Sequence, residues 1–152
     1  MNEGKRPGGL TALAVINLVF AGFSLLQLAG LAAFFSLADK MPTDQMQETQ
    51  KAQIEAMKNM GTPMLALIFG LTLISGVLLL LSGIGYLKQK KILGWMVGNV
   101  YAVVAILGSI ASGLLLRAEL GGGFSIGTIV GLIYPILTLV LINTTFKEDL
   151  TN

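Results

Sequence analysis

Long apolar stretches separated by short polar segments dominate the pattern of this chain. No Asp, Glu, Lys or Arg occurs in residues 7–38, 59–87, 92–116 or 120–146, and each of these stretches is at least 25 residues long. A helix that crosses a bilayer needs about 20 apolar residues. The pattern therefore predicts an all-α polytopic membrane protein. It forms a single domain over residues 1–152 with four transmembrane helices, at about residues 10–38, 63–87, 92–116 and 125–143.

The segment between the first two predicted spans has a different pattern. Apolar, amide and small residues recur there at helical spacing, at Met46, Gln50, Ile54, Met57 and Gly61. This spacing places them on one face of a helix. Asp44 and Gln47 approximate a capping box, and Gly61 followed by Pro63 is a helix stop signal. We therefore expect an amphipathic, extracytoplasmic helix over about residues 43–60.

Composition agrees with a membrane protein and narrows its chemistry. Only 12% of the residues are charged and the mean hydropathy is +0.78, whereas a soluble domain carries about 25% charged residues. The chain contains no Cys and no His, which excludes disulfides and thiol or imidazole catalysis. The predicted spans also lack the charged groups that ion-coupled transporters place in the membrane. We expect no enzyme activity, no catalytic residues and no cofactor.

The distribution of basic residues predicts the orientation. Four spans place the N-terminus, the turn between the second and third spans, and the C-terminus on one side. That side carries six Lys and Arg against three acids, and the other side carries four against five. Three of the six form a basic turn, at Lys88, Lys90 and Lys91. Because Lys and Arg accumulate in cytoplasmic loops, this side should be cytoplasmic. The net charge of +2 is too small and too divided to indicate a nucleic-acid partner.

Small residues recur at every fourth position of the last two predicted spans, at Gly94, Gly98 and Ala102 and at Gly127, Gly131 and Pro135. Such rows let helix backbones approach closely in lipid. They predict helix packing, either within the bundle or between subunits. Pro135 also frees a backbone carbonyl in the middle of its span, and the Thr138 hydroxyl is a local candidate to bond it.

Two amides lie at the same depth in the predicted bundle. Asn17 and Asn99 each follow the start of a span by seven residues, which places both about 10 Å into the membrane. We predict that they form a hydrogen-bonded intramembrane pair. The pair would either lock the first span against the third or line a polar pocket open to the cytoplasm.

Three methionines near the second predicted span raise the question of a metal. Met57, Met60 and Met64 lie close to helical spacing, and thioether sulfur favours Cu(I). Pro63 interrupts the alignment of Met64 with the other two residues. The alternative interpretation is a flexible apolar face that rests on lipid or on a partner.

Two segments resemble known proteins. "PGGLTALAVINLVFAGFSLL" (residues 7–26) and "GIGYLKQKKILGW" (residues 83–95) are similar to segments of small, uncharacterised bacterial integral membrane proteins with four helices. The resemblance implies a bacterial inner-membrane location, with no activity or site residues attached.

These observations favour a non-enzymatic structural or accessory subunit of an inner-membrane assembly. Its partners would be membrane lipids and other membrane subunits, or copies of itself. A homo-oligomeric pore or a membrane-disrupting effector is the alternative, with Asn17, Asn99 and the face formed by residues 98–112 in its lining and Pro135 as a hinge. Handling of Cu(I) by the methionines is a lesser alternative.

Overall fold

The computed structural model describes residues 7–37, 40, 47–59, 61–120 and 126–150. Apart from short turns, this part of the chain is helical. The helices are α1 (Gly8–Leu37), α2 (Glu48–Lys58), α3 (Thr62–Leu87), a π-helical turn (Lys91–Met96) that leads directly into α4 (Val97–Leu120), and α5 (Ile126–Thr144). The all-α prediction is confirmed for the described residues.

Three of these helices are long and apolar enough to cross a membrane. They are α1, α3, and the helix that runs from the π-helical turn into α4, over Lys91–Leu114. The predicted fourth span corresponds to α5, which has 19 residues and a shorter apolar part, Gly131–Thr144. The length and composition of the first three helices thus indicate a membrane protein.

The turn between α3 and α4 has a defined cap. The Lys90 N–H donates to the Gly85 carbonyl at 2.9 Å, and the Gln89 N–H donates to the Tyr86 carbonyl at 3.3 Å. These two bonds form a Schellman motif, which satisfies the last carbonyls of a helix. Gln89 takes the left-handed conformation that the motif requires, with φ of 49°. The chain therefore reverses within three residues, and α3 and α4 pack against each other.

Packing brings the start and the end of the described chain together. α1 packs along α3, α3 along α4, and α4 along α5. A buried cluster joins the start of α1, the end of α3 and the end of α5, formed by Leu10, Leu13, Ala14, Tyr86, Ile142, Phe146 and Leu150. We call it the terminal cluster. Its composition places the start of α1, the α3–α4 turn and the C-terminal turn at one end of the bundle.

The segment between α1 and α3 contains the shorter helix α2. It has 11 residues and lies inside the predicted range of residues 43–60. Residues 43–46 and Met60 lie outside the described residues. A helix at this place in the chain is therefore confirmed over Glu48–Lys58.

Candidate functional site

Asn17 is the centre of a buried polar network. Its side chain is fully buried, and its Nδ2 donates to the Ser82 Oγ at 2.7 Å. The Tyr134 hydroxyl donates to the Asn17 Oδ1. One amide thus joins α1, α3 and α5 through both of its polar atoms. In lipid, such interhelical bonds replace part of the association that the hydrophobic effect gives in water.

A second network joins α4 and α5 near the terminal cluster. The Trp95 Nε1 donates to the Asn143 Oδ1 at 3.0 Å, and the Asn143 Nδ2 donates to the Asn99 Oδ1 at 2.6 Å. The Asn99 Nδ2 in turn donates to the Trp95 carbonyl at 2.8 Å. Together these bonds connect Trp95, Asn143 and Asn99 in a ring that is closed through the Trp95 backbone carbonyl. The ring fixes the Trp95 indole against α5.

The predicted pairing of Asn17 with Asn99 is therefore wrong. Both polar atoms of Asn17 are used by Ser82 and Tyr134, and those of Asn99 are used by Asn143 and the Trp95 carbonyl. Equal depth in the membrane was the basis of the prediction. Equal depth sets the position of a side chain along the membrane normal, but it does not determine which neighbouring helix the side chain faces.

Two buried hydroxyls next to these networks, the Tyr86 Oη and the Thr138 Oγ1, have no hydrogen-bond partner among the residues that the structure describes. The Tyr86 hydroxyl lies beside Asn17 and Ser82 and against the backbone of Gly98. Thr138 is fully buried, and its Oγ1 does not bond the carbonyl that Pro135 leaves free. The predicted local compensation by Thr138 is therefore wrong.

Aromatic rings surround the Asn17 network. The Phe20 and Tyr134 rings meet edge to face, with centroids 4.8 Å apart and an angle of 83° between their planes. The Tyr101 ring also lies near Tyr134, with ring centroids 6.4 Å apart. Edge-to-face pairs of this kind are favourable beyond the area that they bury. They hold the Tyr134 hydroxyl where it can donate to Asn17.

The predicted packing row on α4 lies in a helix interface. Gly94, Gly98 and Ala102 are all buried. A Cβ at Gly94 would lie 2.8 Å from the Leu150 side chain and 3.3 Å from the Gly85 carbonyl carbon, and a Cβ at Gly98 would overlap the Tyr86 hydroxyl. This row therefore packs within the bundle against α3 and the C-terminal turn.

The described residues of the predicted row on α5 differ in burial. Gly131 is exposed, with no atom within 4 Å of an added Cβ, so its predicted role in packing within the bundle is wrong. Pro135 is buried, whereas the surroundings of Gly127 lie outside the described side chains. Beyond Pro135, the buried positions are spaced by four residues, at Thr138 and Ile142 of α5 and at Phe146 in the turn that follows it.

The remaining predicted residues lie apart from these networks. Lys88, Lys90 and Lys91 are exposed at the α3–α4 turn. Met64 is buried, with 8% of its surface exposed. The side chains of Met57 and Met60 lie outside the described ones. Among the described residues, no three His, Cys, Asp or Glu side chains gather as metal ligands.

Several residues that build the site carried little signal in the sequence. Ser82 and Tyr134 bond Asn17, Asn143 and Trp95 complete the second network, and Gly85 contacts the backbone of Leu93 and Gly94. Spacing offered one clue, because Ser82 and Tyr86 are separated by four residues, as are Tyr134 and Thr138. Residues four apart share a helix face, so polar pairs of this kind mark an interior face in an apolar helix.

The fold and these contacts define a helical membrane protein whose interior is fastened by uncharged polar side chains. Searches with protein-family models, among curated proteins and among solved structures find no match to this chain. Its function has to be inferred from its own residues.

Proposed function

We propose that the chain is a non-enzymatic structural or accessory subunit of a bacterial inner-membrane assembly. In this proposal it acts by packing against other membrane subunits and has no transported solute or chemical substrate of its own. One observation carries the proposal: the buried Asn17 amide joins three helices through its bonds to Ser82 and Tyr134. Among the described residues, the buried polar ones are Asn17, Ser82 and Thr138, and none of them is charged.

An uncharged interior of this kind is unsuited to ion or proton coupling. Proton relays and ion pathways use Asp, Glu, His, Lys or Arg within the membrane. Here the Asn17 and Asn99 amides are engaged by neighbouring helices. A mobile solute would have to break those bonds before it could be bound.

The proposed topology has four spans with both termini in the cytoplasm. At 1.5 Å per residue the 19 residues of α5 extend roughly 28 Å, close to the thickness of the hydrocarbon core. An even number of crossings agrees with the terminal cluster, which holds the first turns of α1 beside the C-terminal turn. The exposed Lys88, Lys90 and Lys91 lie at the same end, which the positive-inside rule places in the cytoplasm. α2 then lies on the outer side.

The second half of α1 is the proposed docking surface. The buried residues of α1 all precede Gly22, and side chains beyond that point expose large apolar surfaces, with Phe23 62% and Leu26 68% exposed. Lipid covers this face in an isolated subunit. In an assembly, a neighbouring apolar helix would replace the lipid and gain van der Waals packing.

A pore made of copies of this chain is supported less well. Its proposed lining would need Asn17, Asn99 and Gly98 to face a central pathway. Instead Asn17 and Gly98 are buried between helices of one subunit, and Asn99 is half-buried and bonded to α5. A copper site is also supported less well, because the Met64 side chain is buried in the bundle.

Native mass spectrometry of the protein tests the proposal, after extraction in mild detergent from the cells that make it naturally. We expect a stoichiometric complex that contains other membrane proteins. A closed ring of this chain alone would favour the pore instead, and a monomer without partners would contradict the proposal.

A matched pair of variants tests the docking surface. Phe23→Ala with Leu26→Ala should release the partner proteins. Leu107→Ala with Ile133→Ala should not, although those two side chains are 62% and 58% exposed on α4 and α5. Equal loss of partners in both double variants would show that docking is not specific to α1.

A further inference from the structure

A cavity opens at the end of the bundle where α4 begins. Its volume is about 380 Å³, and its described lining residues are Lys91, Trp95, Lys147 and Leu150. This volume lies within the range of about 300 to 1,000 Å³ that is typical of small-ligand sites. Lys91 and Trp95 belong to the π-helical turn, whereas Lys147 and Leu150 belong to the turn that follows α5. The cavity therefore forms only when the two segments pack together.

The charge of the cavity is positive. Two of its four described lining residues are lysines, and none is acidic. Glu148 and Asp149 follow Lys147 in the chain, but neither lines the cavity. Within the part of the chain that the structure describes, Lys91 and Lys147 form no ion pair. Two lysines from separate segments thus line one space, and none of the described lining residues supplies a counter-charge.

The rest of the lining is apolar and fixed in position. The Trp95 indole N–H is bonded to Asn143, which fixes the orientation of the ring. Leu150 is 2% exposed and belongs to the terminal cluster. The cavity is thus amphipathic, with cationic groups and an apolar wall. A ligand that fits it carries an anionic group next to an apolar body.

The position of the cavity suggests which ligand meets that description. Lys91 is the first residue of a helix that is long and apolar enough to cross a membrane, and Lys147 follows the end of α5 by three residues. Both lysines therefore lie at the level where a bilayer carries its headgroups, and tryptophan is enriched at the same level. Lysine binds phosphate as a point charge.

We propose that this cavity is a binding site for an anionic phosphate group, held between the Lys91 and Lys147 ammonium groups. The phosphate belongs to a lipid headgroup, and the first carbons of the lipid rest on Trp95 and Leu150. This goes beyond the accessory role proposed above. It assigns the chain a specific lipid site that ties α4 to the C-terminal turn.

Native mass spectrometry with added lipid tests the site on the full-length protein in detergent. The probe is phosphatidylglycerol, compared with zwitterionic phosphatidylcholine. We expect one phosphatidylglycerol to be retained per chain, and the double variant Lys91→Gln with Lys147→Gln to bind it about thirtyfold more weakly. The matched control is Lys88→Gln with Lys90→Gln, which removes the same number of charges at the same end of the bundle but outside the cavity. It should weaken binding by less than about twofold, because neither lysine lines the cavity and their exposed charges act on the phosphate through screening solvent.

A second arm distinguishes the source of the phosphate. If millimolar inorganic phosphate leaves phosphatidylglycerol bound, the ligand is a lipid. If inorganic phosphate displaces the lipid in a manner that depends on Lys91 and Lys147, the site takes soluble phosphate compounds. Lys91→Arg with Lys147→Arg should keep binding, which shows that the charge rather than the fold was lost in the glutamine variant.

Two results would overturn the proposal. One is an equal loss of binding in the cavity and control double variants, which would mean that the turn attracts lipid by net charge alone. The other is equal retention of phosphatidylglycerol and phosphatidylcholine by the unaltered protein. Neither measurement involves a partner protein, so either negative result would leave the accessory-subunit proposal untouched.

Discussion

The two halves of α1 have nearly the same composition but different environments. The first half, Gly8 to Ala21, contains all five buried residues of the helix, whereas the second half, Gly22 to Leu37, contains none. Both halves are free of charged residues. In a membrane, apolar character places a segment in the bilayer but does not decide what it packs against. The first half carries the buried Asn17, which bonds Ser82, and it also lies against Gly83 of α3. In the second half, Ser24 lies against Gly76 of α3, but no residue of α1 becomes buried there.

The glycines of the bundle show the same contrast. An added Cβ would meet neighbouring atoms at Gly85, Gly94 and Gly98, all near the terminal cluster, but would meet none within 4 Å at Gly22 and Gly70. The first group allows backbones to approach, as expected where small residues fasten membrane helices. The second group faces outward. Glycine content alone therefore does not identify an interface in this chain.

The largest effect should come from Gly85→Ala. A Cβ at this position would overlap the backbone of Leu93 and Gly94, and backbone yields less readily than a flexible side chain. We expect the free energy of unfolding to fall by about 3 kcal/mol or more. It can be measured by steric trapping or by SDS titration in bicelles.

The matched control for this prediction is Gly70→Ala on the same helix. It should be neutral or stabilise the protein by up to about 1 kcal/mol, because alanine is the better helix former. If both substitutions changed the free energy of unfolding by the same amount, the close helix contact at Gly85 and its absence at Gly70 would not determine stability.

The next effect should come from Asn17→Leu. This change removes the bonds to Ser82 and Tyr134, and interhelical bonds in membranes are worth about 0.6 kcal/mol on average and about 1.7 at most. The same unfolding measurement should show a loss of about 1 to 2 kcal/mol. Gln27→Leu is the control, since Gln27 lies exposed in the second half of the same helix. A loss as large at Gln27 would show that polarity matters along all of α1.

The sequence predicts the helices of this chain well because the charge-free stretches are long. The predicted ranges 63–87 and 92–116 start within one residue of α3 and of the π-helical turn, because Gly61, Pro63 and the lysines mark those helix ends. The partners of the interior residues were not predictable in the same way. An apolar helix has no polar face to show its direction, so the orientation of Asn17, Asn99 and Gly131 is set by contacts with other helices.

A smaller loss of stability should come from Asn143→Leu, which tests the hydrogen bonds beside the terminal cluster. The change leaves the Trp95 indole N–H and the Asn99 side-chain Oδ1 without their bonds to Asn143. We expect a loss of about 1 kcal/mol. Because Trp95 is the single tryptophan, its fluorescence reports this site directly, and its emission should shift to shorter wavelength when the polar partner is lost. Thr144→Val, at an exposed residue whose hydroxyl bonds its own helix, should leave the emission unchanged.

The smallest effect should be a gain in stability from Gln89→Gly. The tightly packed end of the bundle contains one residue whose backbone conformation is unfavourable, since Gln89 has φ of 49°. The left-handed conformation costs a residue with a side chain about 1 to 2 kcal/mol. Glycine removes this cost, but it loses more conformational entropy on folding, which offsets part of the gain. We expect a net stabilisation of about 0.5 kcal/mol, measured by the same unfolding method. Gln89→Ala, which keeps the Cβ, should gain nothing. If both variants gained the same stability, the unfavourable energy would come from the glutamine side chain. The left-handed backbone conformation at residue 89 would then carry no cost.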